Sequence, residues 1–465
     1  MKKVLLLNPP GKRLYIRDYF CSKVSQADYI THPIDLLMLS GVLSKDFDVS
    51  LIDAMAGRLS VDEALKAVLE TDPFAVISLF GAASLGEDLD FAGRVRAALP
   101  GIKIVGIGDA FRDGGEKYLA PGSPLDALLL DFTTADVVGY LNGDPGAAAN
   151  MLIRSGGEVI PAAPGAGGRE FEIPLPLHRL FAGYEYRHPF IRSRRFATVL
   201  ADYGCPYPCS FCIMNTLGFK VRKADAVIAE LKSIKALGIS EVLFHTQTFG
   251  AHREAARELC EKMISEKLDL GWVCFSRVDV VTPGLLELMK RAGCHTIIFG
   301  VESGSERILE KYRKGYGRDQ IISTINYCSG IGIETVGTFI LGLPEEDHDT
   351  MEQTLLLLKT IKLDYASFNV AVPRAGTALR EEAIALGMVD RDFNVMDQSG
   401  LNIAMPSKGL TKEEILAYRR KAVSIFYFNA RYILRRLTKI RTLYDFTRQL
   451  RQLIALAANT WGSKQ

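Results

Sequence analysis

Eight residues near the middle of the chain, Cys205-Pro206-Tyr207-Pro208-Cys209-Ser210-Phe211-Cys212, place three cysteines at C-x3-C-x2-C spacing on one short loop. Three thiolates so closely spaced suit an iron-sulfur cluster, and a four-iron cubane offered only three keeps one iron open to another ligand. Two blander accounts compete, a zinc knuckle and three unrelated core thiols. Zinc sites add a second pair of Cys or His ligands, and no further C-x2-C or H-x3-5-H follows here.

The rest of the chain must build a fold around that loop. At 465 residues the length suggests about three domains, each able to bury its own core. Hydrophobic residues make up 48% and charged residues 24%, which places the chain among globular proteins. Met1-Lys2-Lys3 leads into only Val4-Leu5-Leu6-Leu7 before Asn8-Pro9-Pro10, too short for a signal-peptide core. No uninterrupted apolar run reaches the roughly 18 residues of a membrane-spanning helix, so the expected location is cytoplasmic. The cysteines at 21, 260, 274, 294 and 328 are scattered singly; they are no disulfide framework and read as small buried hydrophobes. The net charge of +2 hides an asymmetry: residues 412–465 carry 12 Lys+Arg against 3 Asp+Glu, a net +9, which leaves −7 on the other 411.

Before residue 144 short apolar runs alternate with amphipathic stretches. The runs at 4–7, 49–52, 75–79, 102–105 and 127–130 are bounded by Asp, Pro or Gly, as buried parallel strands are. Stretches at 36–43, 61–69 and 89–99 read as the helices between them, giving a doubly wound sheet. Such a sheet takes ligands at the carboxyl ends of its strands, where Asn8-Pro9-Pro10-Gly11, Gly81-Ala82-Ala83-Ser84 and Gly106-Ile107-Gly108 fall. No G-x-G-x-x-G opens the first helix, which argues against a dinucleotide. Residues 143–168 are rich in Gly, Ala and Pro, with Ser155-Gly156-Gly157 as a turn, and read as a linker hairpin; Pro174, Pro176 and Pro189 mark an extended segment after it.

From Phe196 strand and helix alternate again. A strand over 196–200 delivers the cysteine loop to its carboxyl end, where barrel active sites lie. Later strands bring Gln247, Ser276-Arg277, Gly300-Val301-Glu302-Ser303 and Ile340 to the same end, and six strands argue a partial (β/α)6 barrel open on one side. A cation such as Arg277 at a strand end suits a carboxylate, its competing account being a solvated surface pair.

The loop, with Phe211 before its last cysteine and Tyr203-Gly204-Cys205-Pro206-Tyr207 leading in, resembles the radical S-adenosylmethionine (SAM) superfamily, although Tyr203 stands where one large branch has Arg. Over residues 196–380, Ser276-Arg277, the run from Thr296 to Ser305, Ile340 to Glu345 and Pro373-Arg374-Ala375-Gly376-Thr377 resemble further motifs of that family. The resemblance implies a 4Fe-4S cluster on Cys205, Cys209 and Cys212, with SAM on the open iron and cleaved reductively to a 5'-deoxyadenosyl radical. It implies SAM contacts from Phe211, Gln247, Ser276, Arg277, Gly300, Glu302, Ser303 and Ile340. Among these Glu302 takes the ribose hydroxyls, Ile340 the adenine and Arg277 the carboxylate. Thr246-Gln247-Thr248-Phe249 departs from the family's Asp-Asp-x-Phe.

The N-terminal sheet, through Asn8-Pro9-Pro10 and His32-Pro33-Ile34-Asp35-Leu36-Leu37, resembles the cobalamin-binding domain that heads class B members. That implies cobalamin near Asn8, Pro9, Gly81, Ser84, Gly106 and Gly108. Asp109 and Asp131-Phe132 depart from the family's loops, and no D-x-H-x-x-G is present; a Rossmann-like domain without cobalamin is the alternative. Only Cys21 occurs in this region, where methylthiotransferases carry a second cysteine set.

Residues 412–457 look helical behind Thr411-Lys412-Glu413-Glu414, with Tyr418, Phe426, Tyr427, Tyr432, Ile433, Leu434 and Leu437 between Arg431, Arg435, Arg436, Lys439 and Arg441. Such a helix lies on an anionic membrane, binds nucleic acid, or packs on the barrel; the acidic body argues against nucleic acid. The expected α/β layout is a cobalamin-binding-like Rossmann domain over 1–145, a linker over 146–190, the radical SAM barrel over 191–395 and a basic helical region over 396–465. The expected function is a radical SAM enzyme, with cobalamin-dependent methylation of an unactivated carbon as its reaction. Its partners are a small-molecule substrate, lipid-like or otherwise, an external electron donor such as flavodoxin or ferredoxin, and a membrane surface touched peripherally by the tail. The alternatives are cyclisation, C-C coupling or rearrangement of a lipid-like or tetrapyrrole substrate by the same radical, and a non-catalytic iron-sulfur protein.

Overall fold

The computed structural model describes residues 1–25, 29–112, 114–144, 149–162, 168–393, 403–439, 446, 447, 449–451 and 454. Arg441, part of the expected tail helix, and the middle of the expected linker lie outside the described residues, as does the Arg431 side chain.

The apolar runs of the N-terminal third form strands Lys3–Asn8, Asp48–Asp53, Ala75–Leu79, Lys103–Ile107 and Ala127–Leu129, all parallel. Numbered along the chain, they lie in the order 2-1-3-4-5. The order reverses between strands one and three, so the ligand crevice of such a sheet opens over Asn8 and the loop after Leu79. The hairpin expected as a linker, Met151–Ser155 with Glu158–Ile160, instead pairs antiparallel onto Ala127–Leu129. It covers backbone groups that an exposed parallel edge leaves unpaired.

The stretch expected to be amphipathic, 36–43, falls in helix Ile34–Leu43, which is buried on every side, Asp35 included. It shares one apolar core with the N-terminal strands and with Leu243, Val273, Ile298, Val336 and Tyr365 of the second sheet. A helix packed on both flanks needs no polar stripe; along it the two domains share a core.

The second sheet runs Ala197–Val199, Glu241–Phe244, Gly271–Ser276, Cys294–Glu302, Glu334–Leu341 and Tyr365–Val370, parallel and in chain order, which is the expected partial barrel. Exposure alternates along its strands with the two-residue period of the pleat. Leu243, Val273, Ile298 and Val336 face inward and are buried at the amino-terminal level. Toward the carboxyl end, Phe275, Gly300, Thr338, Ile340, Ser367 and Asn369 are half-buried, with buried neighbours on either side of each along its strand. The lumen is thus packed at its base and open at its carboxyl end.

Among the described residues the tail is broken between helices Lys412–Tyr427 and Ala430–Leu437, and residues 446, 447, 449–451 and 454 are helical again. The Tyr427 hydroxyl donates to the Ala366 carbonyl (2.6 Å) and accepts from its N–H (3.1 Å), and Arg419 donates to the Phe368 carbonyl (3.1 Å). The tail therefore lies along the sixth barrel strand. Arg435 bonds the Leu363 carbonyl, Arg436 pairs with Glu334 (3.0 Å), and Lys439 bonds Asp364. Three of the cations expected to face a membrane, Arg435, Arg436 and Lys439, are thus engaged with the barrel, while Ile433, Leu434 and Leu437 stay exposed. Among the described residues no helix is long and apolar enough to cross a membrane.

Candidate active site

The first barrel strand does not deliver the cysteines directly. A further strand, Asp202–Gly204, pairs antiparallel with Phe219–Arg222, so the cysteine loop is the tip of a hairpin. Gly204 makes that tip possible: its φ is +79°, and a Cβ there would lie 1.7 Å from the Gly218 carbonyl oxygen, closer than any side chain allows. Ser210 N–H donates to the Tyr312 carbonyl and its own carbonyl accepts from Leu379 N–H, tying the tip to the chain after the fourth and sixth barrel strands.

Burial pushes the Cys205 thiol up, against the pull of Thr248 Oγ1 at 3.5 Å, and pushes Cys212 up to about 12. Iron must displace those protons on binding. Among the described residues no three Cys, His, Asp or Glu converge to hold one metal ion, which leaves a mononuclear zinc site without support. In a cubane each thiolate binds a different iron, so three thiols on one loop, felt by one another electrostatically, fit that group.

Arg277 is clamped rather than free. Its Nε and Nη2 donate to both Asp279 carboxylate oxygens (2.9 and 2.8 Å), Nη2 also to the Lys314 carbonyl (2.5 Å), and Nη1 to Cys209 Sγ (3.2 Å). The guanidinium lies 3.9 Å from the Tyr207 ring centre and 4.9 Å from that of Tyr316. It ties the cysteine loop to the third strand's end.

Glu302 ends the fourth strand at a register shift between Gly300 and Glu302, with φ +64°. A bulged carboxylate in the left-handed region carries strain of the kind found at ligand sites. Its Oε1 accepts from Lys314 Nζ at 2.7 Å. Burial opposes the Lys314 charge, yet Glu302 and its other neighbours outweigh it and hold the ammonium protonated. A Cβ on Gly300 would stand 2.4 Å from Glu302 Oε1 and 2.8 Å from Lys314 Nζ, so only glycine leaves the pair room. Phe211 and Ile340 lie in one apolar cluster, a wall beside the cysteine loop suited to a purine face.

Other expected SAM contacts are engaged elsewhere. Ser276 donates to the Phe249 carbonyl (2.8 Å) and Ser303 bonds Thr354 (3.2 Å), both buried. Gln247 Nε2 is buried and unpartnered, as a ligand-facing amide is. Lys314 and Tyr316 are absent from the sequence expectation; the only signal for them is Lys314-Gly315-Tyr316-Gly317, two glycines spacing a cation and an aromatic.

Four of the sequence's departures from its resemblance, Tyr203, Asp109, Asp131 and Phe132, bind the domains together. Tyr203 stacks on Tyr19 (5.2 Å) and accepts from Arg112 at 3.2 Å, so the N-terminal domain supplies the guanidinium. Asp131 pairs with Lys220 of the cysteine hairpin (2.5 Å), and Phe132 meets the Tyr203 ring edge-on. Asp109 accepts from Ser22 and Ala82 N–H groups (2.7 and 2.8 Å), with Arg374 of the barrel at 3.6 Å.

The six residues expected at cobalamin serve the N-terminal domain itself. Asn8 and Ser84 accept from buried Arg17 (3.0 and 3.2 Å), as does the Pro9 carbonyl (3.0 Å), and Arg17 pairs with Asp88 at 2.6 Å. A Cβ on Gly81 would lie 2.9 Å from Ser22, one on Gly106 2.8 Å from the Phe111 ring and one on Gly108 2.1 Å from the Phe80 carbonyl. Unpartnered polar atoms appear instead where the domains meet: Asp18 Oδ1, the Tyr19 hydroxyl, both Asp35 oxygens, His245 Nδ1 and Thr246 Oγ1. His245 Nε2 lies 2.8 Å from Asp18. Buried polar atoms without protein partners call for a polar occupant, and a corrin rim of amides is one.

A doubly wound sheet docked on an open barrel, with a three-thiolate hairpin at the barrel mouth, defines an enzyme that does chemistry at an iron-sulfur cluster. Residues 202–358 match the Radical SAM superfamily family model, and a radical SAM domain implies a 4Fe-4S cluster and SAM as cofactors. The chain is 27% identical over 414 residues to an uncharacterized methyltransferase of Pyrococcus horikoshii, covering 87% of this chain and 89% of that one. Its fold is shared with the radical SAM methyltransferase TsrM of Kitasatospora setae, solved with cobalamin and a [4Fe-4S] cluster (TM-score 0.68, 16% identity, 98% of this chain and 100% of that one). It is shared too with the cobalamin-dependent SAM radical enzyme OxsB, solved with aqua-cobalamin and SAM (TM-score 0.70, 16% identity, 100% and 74%).

Proposed function

We propose that this chain methylates an unactivated carbon of a small molecule held in the barrel lumen, with cobalamin between the domains. The observation that carries it is the half-buried inner face of Phe275, Gly300, Thr338, Ile340, Ser367 and Asn369 toward the barrel's carboxyl end, together with the unpartnered buried polar atoms of Asp18, Tyr19, Asp35 and His245. The cluster and SAM, with one electron from a donor such as flavodoxin or ferredoxin, supply a 5'-deoxyadenosyl radical, and methylcobalamin supplies the methyl group. Cys205, Cys209 and Cys212 hold the cluster. Glu302 faces the ribose with Lys314 balancing its charge, Phe211 and Ile340 flank the adenine, and Gln247 meets the amine. Apolar packing at the lumen base excludes water, so a radical formed at the mouth meets only substrate. Thr338, Ser367 and Asn369 offer that substrate uncharged hydrogen bonds.

The Arg17 network, which engages Asn8, Pro9 and Ser84, favours a second reading in which the same radical performs cyclisation, coupling or rearrangement without methyl transfer. Anaerobic reconstitution followed by SAM, reductant and hydroxocobalamin separates the two. Deoxyadenosine together with a retained cobalamin spectrum supports methylation. Deoxyadenosine without retained cobalamin leaves the second reading, and an intact cluster that yields no deoxyadenosine sinks both.

A further inference from the structure

Arg277 is the one cation with a hydrogen bond to a cysteine of the loop among the described residues, its Nη1 donating to Cys209 Sγ at 3.2 Å. The guanidinium is held by four groups: the Asp279 carboxylate, the Lys314 carbonyl, and the Tyr207 and Tyr316 rings. With three or more of its five N–H groups committed and two aromatic rings against it, it has little freedom to swing toward a substrate carboxylate. What it faces is the sulfur.

We infer that Arg277 sets the reduction potential of the cluster through its hydrogen bond to Cys209, with Asp279 tempering its charge. The inference rests on the reading that the loop holds a 4Fe-4S cluster. Reduction adds one electron from an external one-electron donor, with no bond made or broken, and makes the cluster with its thiolates more negative by one unit. A cation donating to a ligating sulfur stabilises that reduced form more than the oxidised one and raises the potential. Asp279, both of whose oxygens face Arg277, offsets part of that effect. Arg277 is thus a positioning and tuning residue, acting on the cluster from outside its ligand set.

The test is an anaerobic titration of the reconstituted full chain with dithionite and mediators, with the reduced cluster read by electron paramagnetic resonance. In R277M, iron and sulfide per chain stay as in wild type, while the reduced-to-oxidised ratio at a fixed potential falls about tenfold, about 59 mV for one electron. R277K, which keeps the charge but loses the fork, falls between the two. D279N removes the opposing carboxylate and shifts the ratio the other way, a reversal that a purely structural clamp does not produce. Equal potentials in wild type and R277M overturn the inference, as does a D279N shift of the same sign as R277M. Should R277M fail to load, the sign of the D279N shift decides. A wild-type chain with no reducible cluster overturns the reading on which the inference rests.

Discussion

Lys314 and Glu302 form an ion pair in which neither partner is dispensable. Both are buried, with the Lys314 ammonium 2.7 Å from Glu302 Oε1. Removing one member of a buried pair strands the other's charge, which costs about 3–5 kcal/mol, whereas replacing both costs far less. K314M is therefore expected to lower unfolding free energy by about 3–5 kcal/mol, and the K314M/E302Q double variant to recover most of it, as chemical denaturation of the apo chain measures. SAM affinity separates the roles: the double variant regains stability but not binding. Glu302 is legible in sequence because it sits in a motif run beside glycines. Lys314 is not, since nothing in a local pattern says that the chain after a short helix folds back over the fourth strand.

Helix Ile34–Leu43 shows what an element's surroundings do to its sequence. Its apolar residues go all round because it is enclosed by both domains, and period alone reads such a run poorly. Its Asp35 is the exception. Burial holds that carboxyl well above the ordinary 3.8, and neither oxygen has a partner. A raised folded-state value means that Asp35 contributes its stability in full below pH 3.8 and loses it as pH rises through the folded value. D35A is expected to stabilise the apo chain at pH 7 by about 1–3 kcal/mol and to leave it unchanged near pH 3; urea unfolding at the two pH values checks this. The same variant is expected to weaken cobalamin retention, because it removes two acceptors from the interface between the domains.

On the scale of the whole molecule the C-terminal helices act as a clasp on the barrel's last strands. Burial alone would push Glu334 up, but Arg436, Arg192 and Lys439 hold it down, at about 2. A depressed carboxyl contributes stability above its ordinary 4.5 that is lost as pH falls through about 2. Thermal unfolding of wild type is thus expected to lose midpoint between about pH 4.5 and 2, with a shallower loss in R436M, which starts from a lower midpoint. Asp131 to Lys220 and Asp18 to His245 latch the other side, so the two domains are expected to unfold in one transition by calorimetry. Sequence by itself determined both sheets, the cysteine loop and the candidate SAM carboxylate, because strand period, turn residues and short motifs are local and survive without their surroundings. Tertiary structure alone decided that Arg277 faces a cysteine sulfur, that Arg17 fills the expected cobalamin loops, that the linker hairpin joins a sheet and that three cations of the basic tail engage the barrel. Each depends on which distant charge or backbone edge a side chain meets, and such pairings are set by packing across tens to hundreds of residues.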